Sequence, residues 1–238
     1  MASKRKLALR KELEKFYSTV KAWSRQDLTT GRWFAQFVER TLAAYTDART
    51  PPQVRAEYPD ITDQDELIEG VTNAVIHRAI AATDAYKETL TRTEIRNLKD
   101  RKTSGPPVKL TGDSVALIAE LLYVIKADLD LMFDVAAAHG RLMTGASFDL
   151  ATEVFAGSLG TFDVAGAKAG DGFAEKVGAK IFERAVIQTI GAPNPDAFRK
   201  GFYCYLTKAI GDNMGELAEQ LEEWSEPSDE AADGDLSY

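Results

Sequence analysis

The sequence predicts an all-α protein, a single domain of about six or seven helices with a glycine-rich segment. Three observations predict it. Apolar residues recur at three- and four-residue steps along most of the chain. All eight prolines fall between these periodic runs, where a residue without an N–H does least harm to a helix. Strand-like alternation is nearly absent and shows only weakly from Ser147 to Val154. Helix is therefore expected in more than about 60% of residues, against the usual third.

The elements follow in chain order. Over residues 4–25, Leu9, Leu13, Phe16, Tyr17, Val20 and Trp23 share one arc, with lysines and arginines opposite. Trp33, Phe34, Phe37, Val38, Leu42 and Tyr45 form a second, aromatic stripe, which suits core packing better than a ligand pocket. Thr50-Pro51-Pro52 and Tyr58-Pro59 punctuate the chain, and Asp60-Ile-Thr-Asp63 offers caps for a helix from about 63 to 98. That helix carries Leu67, Val71, Ala74 and Val75 on one side.

After Ser104-Gly105-Pro106-Pro107 comes the most apolar helix, Asp113 to His139, with Leu121, Ile125 and Met132 near the centre of its arc. Gly140 suits a left-handed cap at its end. Residues 145–191 hold eight of the seventeen glycines, which predicts loops and close helix crossings. Phe173, Val177, Ile181, Phe182 and Val186 mark a further helix closed by Gly191. In the last helix Asn194 caps, Pro195 takes the first position, and Phe202, Leu206, Ile210, Leu217 and Leu221 repeat. The expected organisation is a basic amphipathic helix over 1–27, a helical domain over 28–222 and a disordered acidic tail over 223–238.

Charge is distributed unevenly. The net of −8 divides into +5 over residues 1–111 and −13 over residues 112–238, and the first 25 residues alone carry +6. An acidic balance argues against general nucleic-acid binding, and no nucleic-acid partner is expected. The one cysteine, Cys204, excludes an internal disulfide and reads as a small buried hydrophobe. Val115 to Ala138 is interrupted by Glu120, Lys126, Asp128, Asp130 and Asp134, each costing about 2.5–3.5 kcal/mol near a bilayer centre, so it should not span a membrane. With no signal-like apolar run near the start, a cytoplasmic location is expected, with the periphery of a membrane open to it.

No motif for catalysis, metal or cofactor is complete. Gly160 to Lys168 lacks the spacing and the hydroxyl of a phosphate loop. His77 and His139 are preceded at three residues by Ala74 and Ala136, not by the glutamates of a metal bundle. His77 is expected at the edge of a core face, and His139 as a favourable group at a helix C-terminus. Asp113, Glu120 and Asp134 share one side of their helix near His139. Such carboxylates usually form a solvated face, and would bind a ligand or do acid–base work only if buried together. Lys126–Asp130 reads as a surface pair. The N-terminal helix has what an interfacial helix needs, Lys4, Arg5, Lys6 and Lys11 beside Trp23, although its apolar arc can equally pack on the domain.

"ELLYVIKADLDLMFDVAAAHGRLM", Glu120 to Met143, resembles the hydrophobic helix of the EcsC protein family. "PDITDQDELIEGVTNAVIHRAIAATDAYKETL", Pro59 to Leu90, is similar to its amphipathic segment, and the glycine-rich helix pair at 157–191 fits its layout. The resemblance runs over roughly residues 55–215. The family's GxGG turn is replaced here by Ser104-Gly-Pro-Pro-Val-Lys-Leu-Thr-Gly-Asp113, and His139 stands where a tyrosine is usual. The resemblance implies a bacterial helical protein linked by name to an exporter system, and it carries over no active-site residue.

The expected function is a non-enzymatic binding or membrane-peripheral accessory protein, meeting an anionic membrane surface or a protein partner through the N-terminal helix. The alternative is an enzyme or small-ligand binder built on the carboxylate/histidine cluster. An enzyme should gather those groups in one buried pocket, whereas an accessory protein should expose them and show an apolar patch elsewhere.

Overall fold

The computed structural model describes residues 25–44, 50–87, 112–140, 148–160 and 172–223, with part of residues 9–23. Among the described residues 88% are helical and none forms a strand. The elements are α1 (Arg25–Thr30), α2 (Arg32–Ala43), α3 (Pro51–Glu57), α4 (Gln64–Lys87), α5 (Gly112–Ala138), α6 (Phe148–Ser158), α7 (Phe173–Phe182), a π-helical turn (Glu183–Gln188), α8 (Thr189–Gly191) and α9 (Pro195–Glu223). The described residues between 9 and 20, which precede them, are helical. The predicted division at 27/28 falls inside α1, and the tail beyond 223 lies outside the described residues.

The ends of the helices follow local chemistry. Thr50 donates its backbone N–H to Gln53 Oε1 at 2.8 Å, and Pro51 and Pro52 open α3 where no intrahelical N–H is needed. Asp63 Oδ1 accepts the Glu66 N–H at 3.0 Å and starts α4. Residues 88–98, also expected to be helical, lie outside the described residues. Gly140 takes φ +77° and closes α5, its N–H donating to Ala137 O. Asn194 Oδ1 accepts the Ala197 N–H at 3.2 Å, with Pro195 first in α9. The weakly alternating stretch after Ser147 is helix, inside α6.

Three long helices make the centre. Glu120 faces Arg199 and Asp128 faces Thr207, the same eight-residue step on both helices, so α5 and α9 run parallel. Thr83 meets Arg199 while Thr72 meets Gly211, so α4 runs antiparallel to them. Ile118, Leu121, Leu122, Val124, Ile125, Leu129 and Leu131 are wholly inaccessible, so α5 is covered well beyond one stripe, with only Tyr123, Lys126 and Asp130 partly exposed between residues 116 and 138.

A second layer packs on this core. Trp33, Phe34, Phe37 and Val38 of α2 are buried, as their stripe predicts, and Phe34 meets Phe155 of α6 edge-on at 5.3 Å between ring centres. The crossing of α2 and α7 is a glycine-on-glycine contact. Gly31 sits at φ +79°, and a Cβ on Gly178 would fall 2.6 Å from Gly31 O and onto Phe34 Cβ. Only glycine at 178 permits this approach.

The segment predicted as one helix from Phe173 to Gly191 does run unbroken, but its middle turn is π-helical. The widened turn keeps Ala185 and Val186 buried, leaves Ile187 outside, and lets Arg184 donate to Leu159 O at 2.8 Å. Of the glycine-rich stretch, Gly160 and Gly172 carry positive φ, and residues 161–171, which hold most of the Gly160 to Lys168 sequence, lie outside the described residues.

Candidate functional site

The four candidate ligand-binding residues are strung along α5. At about 1.5 Å of rise per residue, Glu120 and Asp134 stand about 21 Å apart along the axis, so they cannot share one small-molecule pocket. Asp113 lies in the first turn of α5, and its side chain falls outside those described. Glu120 is wholly buried and Asp134 is 3% exposed, which corrects the expectation of a solvated face. The physical reason is that α4, α9 and neighbouring helices cover α5 on the sides where Glu120 and Asp134 stand and leave outward only the strip of Tyr123, Lys126 and Asp130. Lys126 and Asp130 do form the expected partly exposed pair, at 3.0 Å.

Glu120 ends in an ion pair. Arg199 Nη1 donates to Glu120 Oε2 at 2.9 Å, and Arg199 Nη2 reaches Asp196 Oδ1 at 3.2 Å and the Thr83 carbonyl at 3.4 Å. One guanidinium therefore joins α9 to both α5 and α4. Glu120 Oε1 and Arg199 Nε have no hydrogen-bond partner among the described residues, and the Tyr203 hydroxyl faces the same carboxylate without a bond of regular geometry. Burial pushes the Glu120 carboxyl up to about 7 against the opposing pull of Arg199. Burial also pushes the Tyr203 hydroxyl well above its ordinary value, reinforced by the Glu120 charge.

Two turns further along, Thr207 donates to Asp128 Oδ1 at 2.7 Å, both side chains wholly buried. Asp128 Oδ2 has no partner among the described residues, and burial holds this carboxyl well above the usual carboxylate range. A buried carboxylate with one hydrogen bond favours its neutral form. Neither Glu120 nor Asp128 lines the cleft at the end of α5 or the groove between α4 and α9, so the two read as packing partners of Arg199 and Thr207. Sequence alone marks neither Asp128 nor Arg199, Tyr203 and Thr207 as members of a site. Their signal is present as a four-residue step on α9 matched to an eight-residue step on α5, but it appears only once the two helices are known to be parallel.

His139 lines a cleft that neither Glu120 nor Asp134 lines. About 400 Å³ in volume, it is walled by Pro51, Arg55, Gln64, Asp65, Ala137, Ala138, His139 and Gly140. A second groove of about 550 Å³ runs between α4 and α9, with Asp65, Glu69, Asp212 and Glu216 set against Lys208. His77 is exposed on α4 and not at a core edge. Cys204 is half-buried rather than buried, and burial raises its thiol, away from a reactive thiolate. Among the described residues no group of three or more His, Cys, Asp or Glu could hold a metal ion.

The N-terminal residues divide by face. Leu13 and Val20 are buried, Phe16 meets Phe37 at 5.8 Å and Tyr123 at 6.4 Å, and Trp23 rests on Trp33 at 6.1 Å. Lys11 and Lys15 are exposed, while Lys4, Arg5 and Lys6 lie outside the described residues. Among the described residues no helix is long and apolar enough to cross a membrane. Ile187, Phe198 and Tyr205, on the π-helical turn and α9, are the exposed large apolar side chains among the described residues. Comparison with protein-family models, with curated proteins and with solved structures finds no match to this chain.

Proposed function

We propose that the protein is a non-enzymatic helical accessory protein that meets an anionic surface through the basic face of its N-terminal helix. The observation that carries this reading is the division of that helix, with Leu13, Phe16 and Val20 turned onto the core and Lys11 and Lys15 turned to solvent. In the sequence Lys4 stands seven residues before Lys11, two turns at helical spacing. An enzyme built on the α5 cluster is disfavoured, because Glu120 is held by Arg199 and Asp134 stands about 21 Å from it along the axis.

The packing also changes how the surface is met. Trp23 is already half-buried against Trp33, so attachment draws mainly on charge, with each basic group contributing up to about 1 kcal/mol. The EcsC-like layout, with its association by name to an exporter system, accords with a membrane-side role. The test is sedimentation with vesicles of neutral lipid, with and without anionic lipid, at low and at raised salt. Binding should need anionic lipid, fall with salt and be lost when Lys4, Arg5, Lys6 and Lys11 become glutamine, with little change in tryptophan emission. Indifference to anionic vesicles at low salt overturns the proposal.

A further inference from the structure

We propose that the cleft between the start of α4 and the end of α5 binds a small aliphatic α-amino acid as its zwitterion. Because α4 and α5 are antiparallel, the N-terminus of one and the C-terminus of the other open into the same cleft. Helix ends carry opposite partial charges of about half a unit, so the two walls differ in sign before any side chain is counted.

The side chains also bring both signs to the cleft, Arg55 from the last turn of α3 and Asp65 from the first turn of α4, where it offsets that helix end. Arg55 contributes a cation and Asp65 an anion, and Pro51, Ala137 and Ala138 add a small apolar surface. Gln64 Oε1 accepts from Arg55 Nη2, which fixes the guanidinium at the cleft. A carboxylate fits against the Arg55 guanidinium at the end of α3. An ammonium fits the side formed by Asp65 and the last carbonyls of α5, beside His139.

A simple anion gains from Arg55 but meets Asp65 and the carbonyl end. A simple cation meets the reverse conflict. Only a ligand bearing both charges answers both walls, and about 400 Å³ lies near the small end of the range for small-molecule sites. This site is independent of the basic N-terminal face, and its test involves no lipid.

The experiment titrates the full-length chain with L-alanine, L-valine and L-leucine, following backbone amide resonances by NMR. Two analogues of leucine accompany them, 4-methylpentanoate without the ammonium and 3-methylbutylamine without the carboxylate. At least one amino acid should bind in the millimolar range or tighter and shift the amides of Gln64, His139 and Gly140. Each analogue should bind at least about tenfold more weakly, as should the amino acid to Arg55→Gln and to Asp65→Asn. Both substituted side chains are exposed, so the variants should keep the wild-type spectrum elsewhere. Silence with all three amino acids, equal binding of either analogue, or unchanged binding by both variants overturns the proposal.

Discussion

Replacing Glu120 by glutamine should change stability in a way that depends on pH with a definite sign. The side chain is wholly buried, its single firm partner is Arg199 at 2.9 Å, and its second oxygen is unsatisfied among the described residues. Burial raises the carboxyl from 4.5 to about 7 in the folded protein. A group whose folded pKa is raised contributes stability below its unfolded pKa and loses it as pH rises through the folded one. The wild type should therefore lose stability relative to Glu120→Gln between pH 4.5 and 7, by about 3 kcal/mol in all, since each pH unit across that window costs about 1.4 kcal/mol. Glutamine keeps the shape and an acceptor for Arg199, so any constant offset cancels in the comparison. Urea denaturation of both proteins, followed by circular dichroism from pH 4.5 to 8, gives the difference curve. A flat curve, or a wild type that gains on the variant with rising pH, would show that the pull of Arg199 equals or exceeds the cost of burial and refute the reasoning.

Other perturbations test the packing. Arg199→Met removes the opposing cation, so the pH window of Glu120 should extend upward, seen as continued loss of stability above pH 7 in the same assay. Thr207→Val takes away the hydrogen bond that favours charged Asp128, and a carbon-13 NMR titration should place that carboxyl higher still. Gly178→Ala pushes a methyl onto Phe34 and Gly31 O, and should cost at least about 3 kcal/mol, the top of the usual overpacking range, in urea melts. Leu121→Ala, at a side chain with no exposure, should cost about 2–5 kcal/mol, and a cost near zero would mean that α5 is not the central helix.

By itself the sequence determined the helical class and most helix ends, because these depend on neighbours a few residues apart. The apolar step near 3.6 residues, the Asp63 and Asn194 caps, Pro195 and the Gly140 terminus are all local chemistry, and the structure has them where the sequence puts them. The sequence also identified Leu121, Ile125 and Met132 as the heart of α5, since apolar content alone marks a side that must be covered. It left open how many sides were covered, and that decided the candidate site. Glu120 and Asp134 read as part of a wet face on an isolated helix, yet α4, α9 and their neighbours close over them. Only the parallel pairing of α5 with α9 sets Arg199 against Glu120 and Thr207 against Asp128, partners 79 residues away in each case. No periodicity within one helix encodes which helix lies beside it or in which direction. The same holds for the cleft at His139, where Arg55, Gln64 and Asp65 arrive because α4 runs back antiparallel to α5. Local spacing fixes where helices begin and end, whereas the contacts between them depend on burial that many distant residues share.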